Sequence, residues 1–198
     1  MTLRVDLDIL QKWIAPGSRV LDLGCGDGAL LHALRRSHGV EGYGLEIDPQ
    51  RIAACVARGV NVIETDINQG LSQFADDSFD TVVMTYSLQT LLRPDKTIAE
   101  MLRTGKECIV TFPNFANLRA RAHLFFRGRM PVTKQLSWQW YDTPNIHFCT
   151  VEDFEVLCHD LNIRVLHREV VAQHSPEKFF KGLWPNLFGE TAIYHLSK

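Results

Sequence analysis

A strand-like segment that runs directly into a glycine-rich turn limits the folds open to this chain more than any other feature. Residues 19–23 are mostly apolar, and glycine occupies every second position of 24–28. Helical spacing of leucines begins immediately afterwards, over 29–36. A buried strand, a tight turn that glycine adopts without strain, and a helix make up the first half of a βαβ unit. The segment therefore predicts a parallel sheet.

The same order of strand and helix patterns continues through the first 112 residues. Further strand-like segments follow at 43–47, 60–64, 81–84 and 108–112. A helix that begins at Pro49 is expected to bury Ile52, Ala53, Val56 and Ala57. Two later strands, at 164–166 and 192–196, are expected to be antiparallel neighbours, because only a long loop joins them. The predicted fold class is α/β, with a doubly wound sheet and a ligand crevice at its strand tips.

Length, charge and cysteine usage restrict the number of domains, the cellular compartment and the class of partner. The 198 residues match one domain of ordinary size, so 1–198 is expected to be a single domain. Five cysteines without a C-x-x-C pair argue against a disulfide framework, and we expect a cytoplasmic protein. The eight histidines show no ligand spacing, so no metal site is expected. No apolar stretch approaches the roughly 20 residues of a membrane helix, and a net charge of −2 argues against nucleic acid as a partner.

Three carboxylates surround the glycine-rich turn and bear on the choice of ligand. Glu46 lies 20 residues past Gly26, where a carboxylate can accept hydrogen bonds from ribose hydroxyls. Asp22 precedes the first glycine by two residues, and Asp66 follows the third predicted strand. The turn also satisfies a loose dinucleotide fingerprint, so a nicotinamide cofactor is an alternative. Asp22 would repel a pyrophosphate but attract an ammonium or sulfonium group, which favours a cationic nucleoside.

The motifs around this turn resemble those of a known enzyme class, the class I S-adenosylmethionine-dependent methyltransferases. They occur in the same order, as D-L-G-C-G-D-G at 22–28, G-L-E-I-D at 44–48, T-D at 65–66 and S-F-D-T-V at 78–82. Other segments are similar to the MetW family of methionine biosynthesis proteins, namely 127–133, 139–147 and 185–190. This second resemblance extends along nearly the whole chain. It implies a seven-stranded sheet whose last strand is antiparallel, and S-adenosylmethionine or S-adenosylhomocysteine as the cofactor.

The resemblance also implies roles for individual residues. Glu46 would bind the ribose hydroxyls, Asp66 would accept the adenine amino group, and Ile47 would pack on the adenine ring. The glycine turn would leave room for the methionine moiety, whose ammonium group would lie near Asp22. The expected cofactor-binding residues are therefore Asp22, Gly24, Gly26, Glu46, Ile47 and Asp66.

Two functions from different classes follow from the resemblance. MetW proteins are associated with homoserine O-acyltransferase, which implies a cofactor-binding module that supports this partner enzyme. The alternative is an active methyltransferase on a small molecule, and the sequence leaves open whether the protein is an enzyme. Methyl transfer needs an acceptor held beside the sulfonium methyl group. The side chains expected around that point follow the fourth and fifth strands or lie in the candidate lid, and they are Tyr86, Asn114, Tyr141 and His147.

Two later segments carry unusual numbers of apolar or basic residues. The segment 113–149 interrupts the strand–helix order and is expected to form a lid-like insertion over the crevice. Within it, the basic residues from Arg119 to Lys134 are expected to form the solvated face of an amphipathic helix whose apolar residues pack inward. The loop 173–189 contains six large apolar residues. We expect this loop to be an interface, with the acyltransferase or in a homo-oligomer.

Overall fold

A seven-stranded sheet organises the protein, and the computed structural model describes residues 5–133, 136–172 and 182–198. The strands are β1 (Arg19–Leu23), β2 (Glu41–Glu46), β3 (Asn61–Glu64), β4 (Phe79–Thr85), β5 (Gly105–Pro113), β6 (Arg164–Val171) and β7 (Thr191–Ser197). Their order in the sheet is β3-β2-β1-β4-β5-β7-β6. Strand β7 is antiparallel to both of its neighbours, and the strand pairs from β3 to β5 are parallel. The predicted α/β class and the antiparallel last strand are confirmed.

Helices cover both faces of this sheet and begin at residues that the sequence marks as helix starts. They are α1 (Val5–Leu10), α2 (Ala29–His38), α3 (Pro49–Ala57), α4 (Pro94–Thr104), α5 (Leu118–Arg127), α6 (Val151–Asp160) and α7 (Pro185–Phe188). Asp48 caps α3, because its Oδ1 accepts hydrogen bonds from the backbone N–H groups of Gln50 and Arg51. Thr150 and Asp153 form a capping box at the start of α6. None of the helices in the described ranges has the length and apolar character needed to cross a membrane.

Two apolar cores, one on each face, hold the helices against the sheet. On one face, Tyr194 of β7 stacks on Phe112 of β5 at 6.0 Å and contacts Phe154 of α6 at 4.6 Å between ring centroids. On the other face, Leu10 of α1 and Leu34 of α2 are fully buried. Each such side chain contributes about 1.5–3 kcal/mol by leaving water. The two cores fix the central strands, and therefore the loops at their carboxyl ends.

The buried face of α3 differs from the one that the sequence predicts. Val56, expected inside, has 65% of its surface exposed, and the buried residue of the helix is Cys55. The Cys55 thiol donates a hydrogen bond to the carbonyl of Gly26 at 3.1 Å, and its sulfur lies 3.8 Å from that of Cys25. The contact with the glycine turn therefore sets the rotation of α3, and the predicted stripe was one position out of phase.

The two ends of the segment between β5 and α6 lie close together, and much of the apolar surface of this segment is exposed. The Phe115 N–H donates to the carbonyl of Cys149 at 3.0 Å, and the rings of Phe115 and Phe148 lie 4.6 Å apart. Helix α5 forms as expected, but its one buried residue is Ala120. Phe125 is 83% exposed, so the prediction that the apolar residues of this helix pack inward was wrong.

Candidate functional site

The glycine turn lies where the order of strands in the sheet reverses. Strand β1 is paired with β2 on one side and with β4 on the other, and ligands of open α/β sheets bind at such a point. Gly24, Gly26 and Gly28 have φ angles of 72°, 59° and 74°, which only glycine adopts without strain. A Cβ on Gly24 would meet the Oγ of Ser87 at 2.6 Å, whereas a Cβ on Gly26 would enter open space. The turn therefore leaves unfilled volume over Gly26.

Glu46 ties the end of β2 to this turn. Its side chain is 5% exposed, and its Oε2 accepts a hydrogen bond from the Gly26 N–H at 2.9 Å. Its Oε1 accepts from the N–H groups of Ile47 at 2.9 Å and Asp48 at 3.1 Å. A carboxylate has about four acceptor positions, so one position on Oε2 is left for a further donor. The guanidinium of Arg51 approaches that oxygen at 3.8 Å.

Asp22 places a second carboxylate inside the sheet. It is 1% exposed and lies in register with Gly44 of β2 and Val83 of β4. A buried carboxylate is stabilised by a nearby positive charge and destabilised by a negative one. The strand tips next to the glycine turn therefore favour a ligand with a cationic group.

A cleft of about 820 Å³ opens beside the turn. It is lined by the turn itself and by one face of α2, and its walls are formed by Leu7, Asp22, Gly24, Cys25, Gly26, Asp27, Ala29, Leu30, His32, Ala33, Arg36, Arg58 and Thr85. Three of the six predicted cofactor residues therefore line it. The sequence analysis missed the α2 wall, although Ala29, His32, Ala33 and Arg36 recur at the i, i+3, i+4, i+7 spacing of a helix face.

The remaining predicted cofactor residues lie at the tips of β2 and β3, outside the lining of this cleft. Glu46 is the last residue of β2, and Ile47 follows it with 58% of its surface exposed. Asp66 is half-buried after β3, and its Oδ1 accepts hydrogen bonds from the backbone and side-chain N–H groups of Asn68. The three residues therefore lie along the ends of two neighbouring strands, with Glu46 bonded to the glycine turn and Asp66 one strand farther from it.

The two thiols at the turn are not set up as nucleophiles. Burial raises the pKa of Cys25, and the neighbouring carboxylate of Asp22 raises it further. Burial also raises the pKa of Cys55. Both sulfurs therefore stay protonated at neutral pH, although Cys25 lies close to the start of α2, where a helix dipole would favour a thiolate.

Two of the four predicted acceptor-side residues are used in holding the loops together. Tyr86 follows β4 at a φ of 57°, and its hydroxyl pairs with the Oγ1 of Thr191 at 2.7 Å. Asn114 is 3% exposed and donates both amide hydrogens, to the carbonyls of Asn186 at 2.9 Å and Gly189 at 2.8 Å. Tyr86 therefore connects the end of β4 to the start of β7, and Asn114 connects the end of β5 to the segment before β7.

The other two predicted residues lie on the surface of the 113–149 segment. Tyr141 is 71% exposed and packs edge-on against Trp140, at 5.7 Å between ring centroids. The backbone N–H groups of Ile146 and His147 donate to the carbonyl of Gln89, in the turn after β4. None of the four predicted residues is among those that line the cleft, where Thr85 is the residue contributed by β4.

Comparison with known proteins agrees with this architecture. Residues 4–196 match the family described as methionine biosynthesis protein MetW. The chain is 36% identical over 203 residues to the bifunctional methionine biosynthesis protein MetXA/MetW of Rhodopirellula baltica, a match that covers 98% of this chain and 32% of that protein. The chain spans about a third of the length of the curated relatives it matches.

Solved structures share the fold at low sequence identity. An S-adenosylmethionine-dependent methyltransferase from Archaeoglobus fulgidus has a TM-score of 0.68 at 18% identity, over 97% of this chain and 92% of that one. The cyclase SpnF has a TM-score of 0.67 at 19% identity, over 97% and 80%. Because a methyltransferase and a cyclase share it, this fold does not by itself determine a reaction. The sequence match extends over nearly every residue, and the chain belongs to the MetW family of methionine biosynthesis proteins.

Proposed function

We propose that this protein binds S-adenosylmethionine or S-adenosylhomocysteine across the tips of β1, β2 and β3 and that it supports homoserine O-acyltransferase in methionine biosynthesis. The observation that carries the binding proposal is the buried carboxylate of Glu46, joined to the N–H of Gly26 at 2.9 Å. This contact brings the acceptor for a ribose hydroxyl next to the open space over the glycine turn.

The charges and shapes at the strand tips fit this cofactor. Asp22 and Glu46 supply negative charge beside the turn, which suits an ammonium and a sulfonium group and opposes a pyrophosphate. Ile47 offers an exposed apolar side chain to an adenine ring. Asp66 supplies a carboxylate at the next strand end for the adenine amino group. When bound, the cofactor would supply an activated methyl group.

The partner proposal rests on the fused relative. In the Rhodopirellula baltica protein, a region similar to this chain makes up 32% of a polypeptide named for both MetXA and MetW activities. Fusion keeps two units at a high effective concentration, which is useful when the units work together. We infer that the present chain works together with the corresponding acyltransferase.

Methyl transfer to a small molecule is the second candidate function, and the extent of the cleft favours it. The cleft continues past the glycine turn along α2 to Leu7 and Arg36, so its 820 Å³ lies partly beyond the predicted cofactor residues. Ligand sites commonly occupy about 300–1,000 Å³. An acceptor in that volume would need only correct placement beside the methyl group. Mass spectrometry of S-adenosylhomocysteine release in the presence of homoserine and its acyl esters tests this alternative.

Calorimetry with a matched pair of variants tests cofactor binding. We expect S-adenosylhomocysteine to bind the wild-type protein, and Glu46→Ala to weaken it by about 1–3 kcal/mol, because charged hydrogen bonds are lost. Glu64→Ala is the control, since Glu64 is exposed and lies beside Glu46 in the sheet register. Ile47→Asp, at an exposed position, tests the adenine contact without loss of a buried group. Tight binding of NAD, with no binding of either S-adenosyl compound, would exclude the proposed cofactor.

A further inference from the structure

The segment after β5 carries a group of exposed aromatic and aliphatic side chains that the cleft does not use. On α5, Phe125 and Phe126 are 83% and 80% exposed, with their rings 5.0 Å apart. Farther along, Trp140 and Tyr141 are 75% and 71% exposed. Met130, three residues after α5, lines a small crevice with Trp138, Trp140 and Phe148. We call the exposed side chains of 124–148 the aromatic patch.

The charge of the segment that carries the aromatic patch is mainly positive. Helix α5 contains three arginines and no acidic residue, and Arg129 follows directly. Among the described residues of 118–148, one is acidic, namely Asp142. Arg127 and Arg129 are both exposed. A surface that combines apolar rings with unbalanced arginines is complementary to an apolar surface surrounded by carboxylates.

The composition of the aromatic patch is that of a protein interface. Trp, Tyr, Phe, Met and Arg are enriched at interface cores, whereas Lys, Asp and Glu are depleted there. The patch follows this pattern, with Trp138, Trp140 and Tyr141 among its exposed rings. Exposed Leu124, Val132 and Ile146 add aliphatic area beside the rings, which suits an apolar protein surface.

The aromatic patch is attached to the loops that border the glycine turn. The carbonyl of Gln89 accepts hydrogen bonds from Ile146 at 2.9 Å and His147 at 3.1 Å. Two residues earlier, Ser87 lies so close to Gly24 that a Cβ there would meet its hydroxyl oxygen. The short connection after β4 therefore contacts the cofactor side with Ser87 and the patch side with Gln89.

We propose that the aromatic patch is the docking surface for an acidic, apolar face of the partner acyltransferase, an inference that rests on the partnership proposed above. The relative from Rhodopirellula baltica supports this occupant, because there a region similar to this chain is part of one polypeptide named for both MetXA and MetW. The aromatic rings supply the buried contacts, and the arginines orient the encounter.

Binding measurements with purified homoserine O-acyltransferase from the same organism test the docking surface. Phe125→Ser with Phe126→Ser removes the two most exposed rings, and Arg127→Glu with Arg129→Glu reverses the charge. The matched controls are Val56→Ser, at a position 65% exposed on α3, and Arg164→Glu, on the exposed edge strand β6. We expect each patch variant to weaken binding at least tenfold and each control to leave it within twofold. Circular dichroism checks that every variant keeps its fold, and calorimetry with S-adenosylhomocysteine checks that the cleft is unchanged.

The outcomes separate this inference from the proposed function. If the wild-type protein binds the acyltransferase and the patch variants bind it equally well, the docking surface is wrong and the partnership stands. If the wild-type protein does not bind the acyltransferase, the partnership fails and the docking surface falls with it. Sedimentation of the protein alone tests a second copy of this chain as the occupant, and sedimentation with phosphatidylserine vesicles tests a lipid surface. Patch-dependent self-association or vesicle binding, without acyltransferase binding, would overturn the assignment to this partner.

Discussion

Replacing Gly26 with alanine separates the ligand role of the glycine turn from its structural role. Gly26 has a φ of 59°, and its missing Cβ points into open space. Gly17 is the matched control, because it has a φ of 72° and equally open surroundings in the turn before β1. Gly24 is unsuitable for this comparison, since its Cβ would also strike the Ser87 hydroxyl.

The structure gives the expected size of both effects. Left-handed backbone costs an alanine roughly 1–2 kcal/mol more than a glycine, and neither Gly26→Ala nor Gly17→Ala adds a clash. Each variant should therefore lose about 1–2 kcal/mol of unfolding free energy, which corresponds to about 2–8 °C in melting temperature for a domain of this size. At Gly26 the new methyl group also occupies the space over the turn. We expect it to weaken S-adenosylhomocysteine binding at least tenfold, or about 1.4 kcal/mol.

Urea denaturation followed by circular dichroism measures the stability of both variants, and calorimetry measures their affinity. Equal losses of stability with a loss of affinity in Gly26→Ala alone would support a ligand that crosses the turn. The reasoning is refuted if Gly26→Ala binds S-adenosylhomocysteine as tightly as Gly17→Ala does. The open space over Gly26 would then be solvent rather than part of the cofactor site.

Two further predictions concern titratable groups. Because burial raises the pKa of Cys25 and Cys55, iodoacetamide at pH 8 should leave both thiols unmodified in the folded protein and should alkylate them in urea, which peptide mass spectrometry detects. The backbone N–H of Arg19 and the ammonium of Lys106 lower the pKa of Asp80, so this carboxylate stabilises the protein above its unfolded pKa and loses that effect as the pH falls through its folded pKa. Asp80→Asn should therefore lower the unfolding free energy at pH 7, and this loss should become smaller as the pH falls into the acid range; a loss that stays constant down to acid pH would contradict the assignment.

The central part of the fold could be predicted because local and long-range signals agree there. The apolar segment before the glycine turn is buried on both faces, so its composition identifies it as an inner strand. Asp48 and Thr150 mark helix starts through their own side-chain hydrogen bonds, which depend only on neighbouring residues. The antiparallel pairing of the last two strands was expected from the long loop between them. The seven-stranded sheet and the roles of the individual cofactor residues were expected from the family resemblance and not from periodicity.

The errors occur where burial depends on a distant contact. Helical spacing predicted that Val56 faces the core, but the contact of Cys55 with the Gly26 carbonyl rotates α3 away from that phase. On α5 the pattern gave the correct helix, whereas the exposure of Phe125 depends on whether any other element covers it. Asn114 looked available for a substrate because its two hydrogen-bond partners lie more than 70 residues away in the sequence. Expected interface residues in 173–181 lie outside the described residues, and Trp184, farther along the same loop, is 57% exposed.

The arrangement of the sheet gives a physical reason why cofactor binding and methyl transfer are separate questions for this family member. Strands β1, β4 and β5 are parallel, so the glycine turn, the connection with Ser87 and Gln89, and the start of α5 all lie at one edge of the sheet. A ligand beside the glycine turn and a protein on the aromatic patch would therefore be linked through one short connection, which lies next to Gly24 at Ser87 and accepts hydrogen bonds from Ile146 and His147 at Gln89. If that connection has two arrangements, each molecule changes the affinity for the other by the same factor. Such coupling depends only on the free energy of cofactor binding and needs no chemical step. A protein with a methyltransferase fold can therefore act on a partner enzyme without transferring the methyl group of the cofactor.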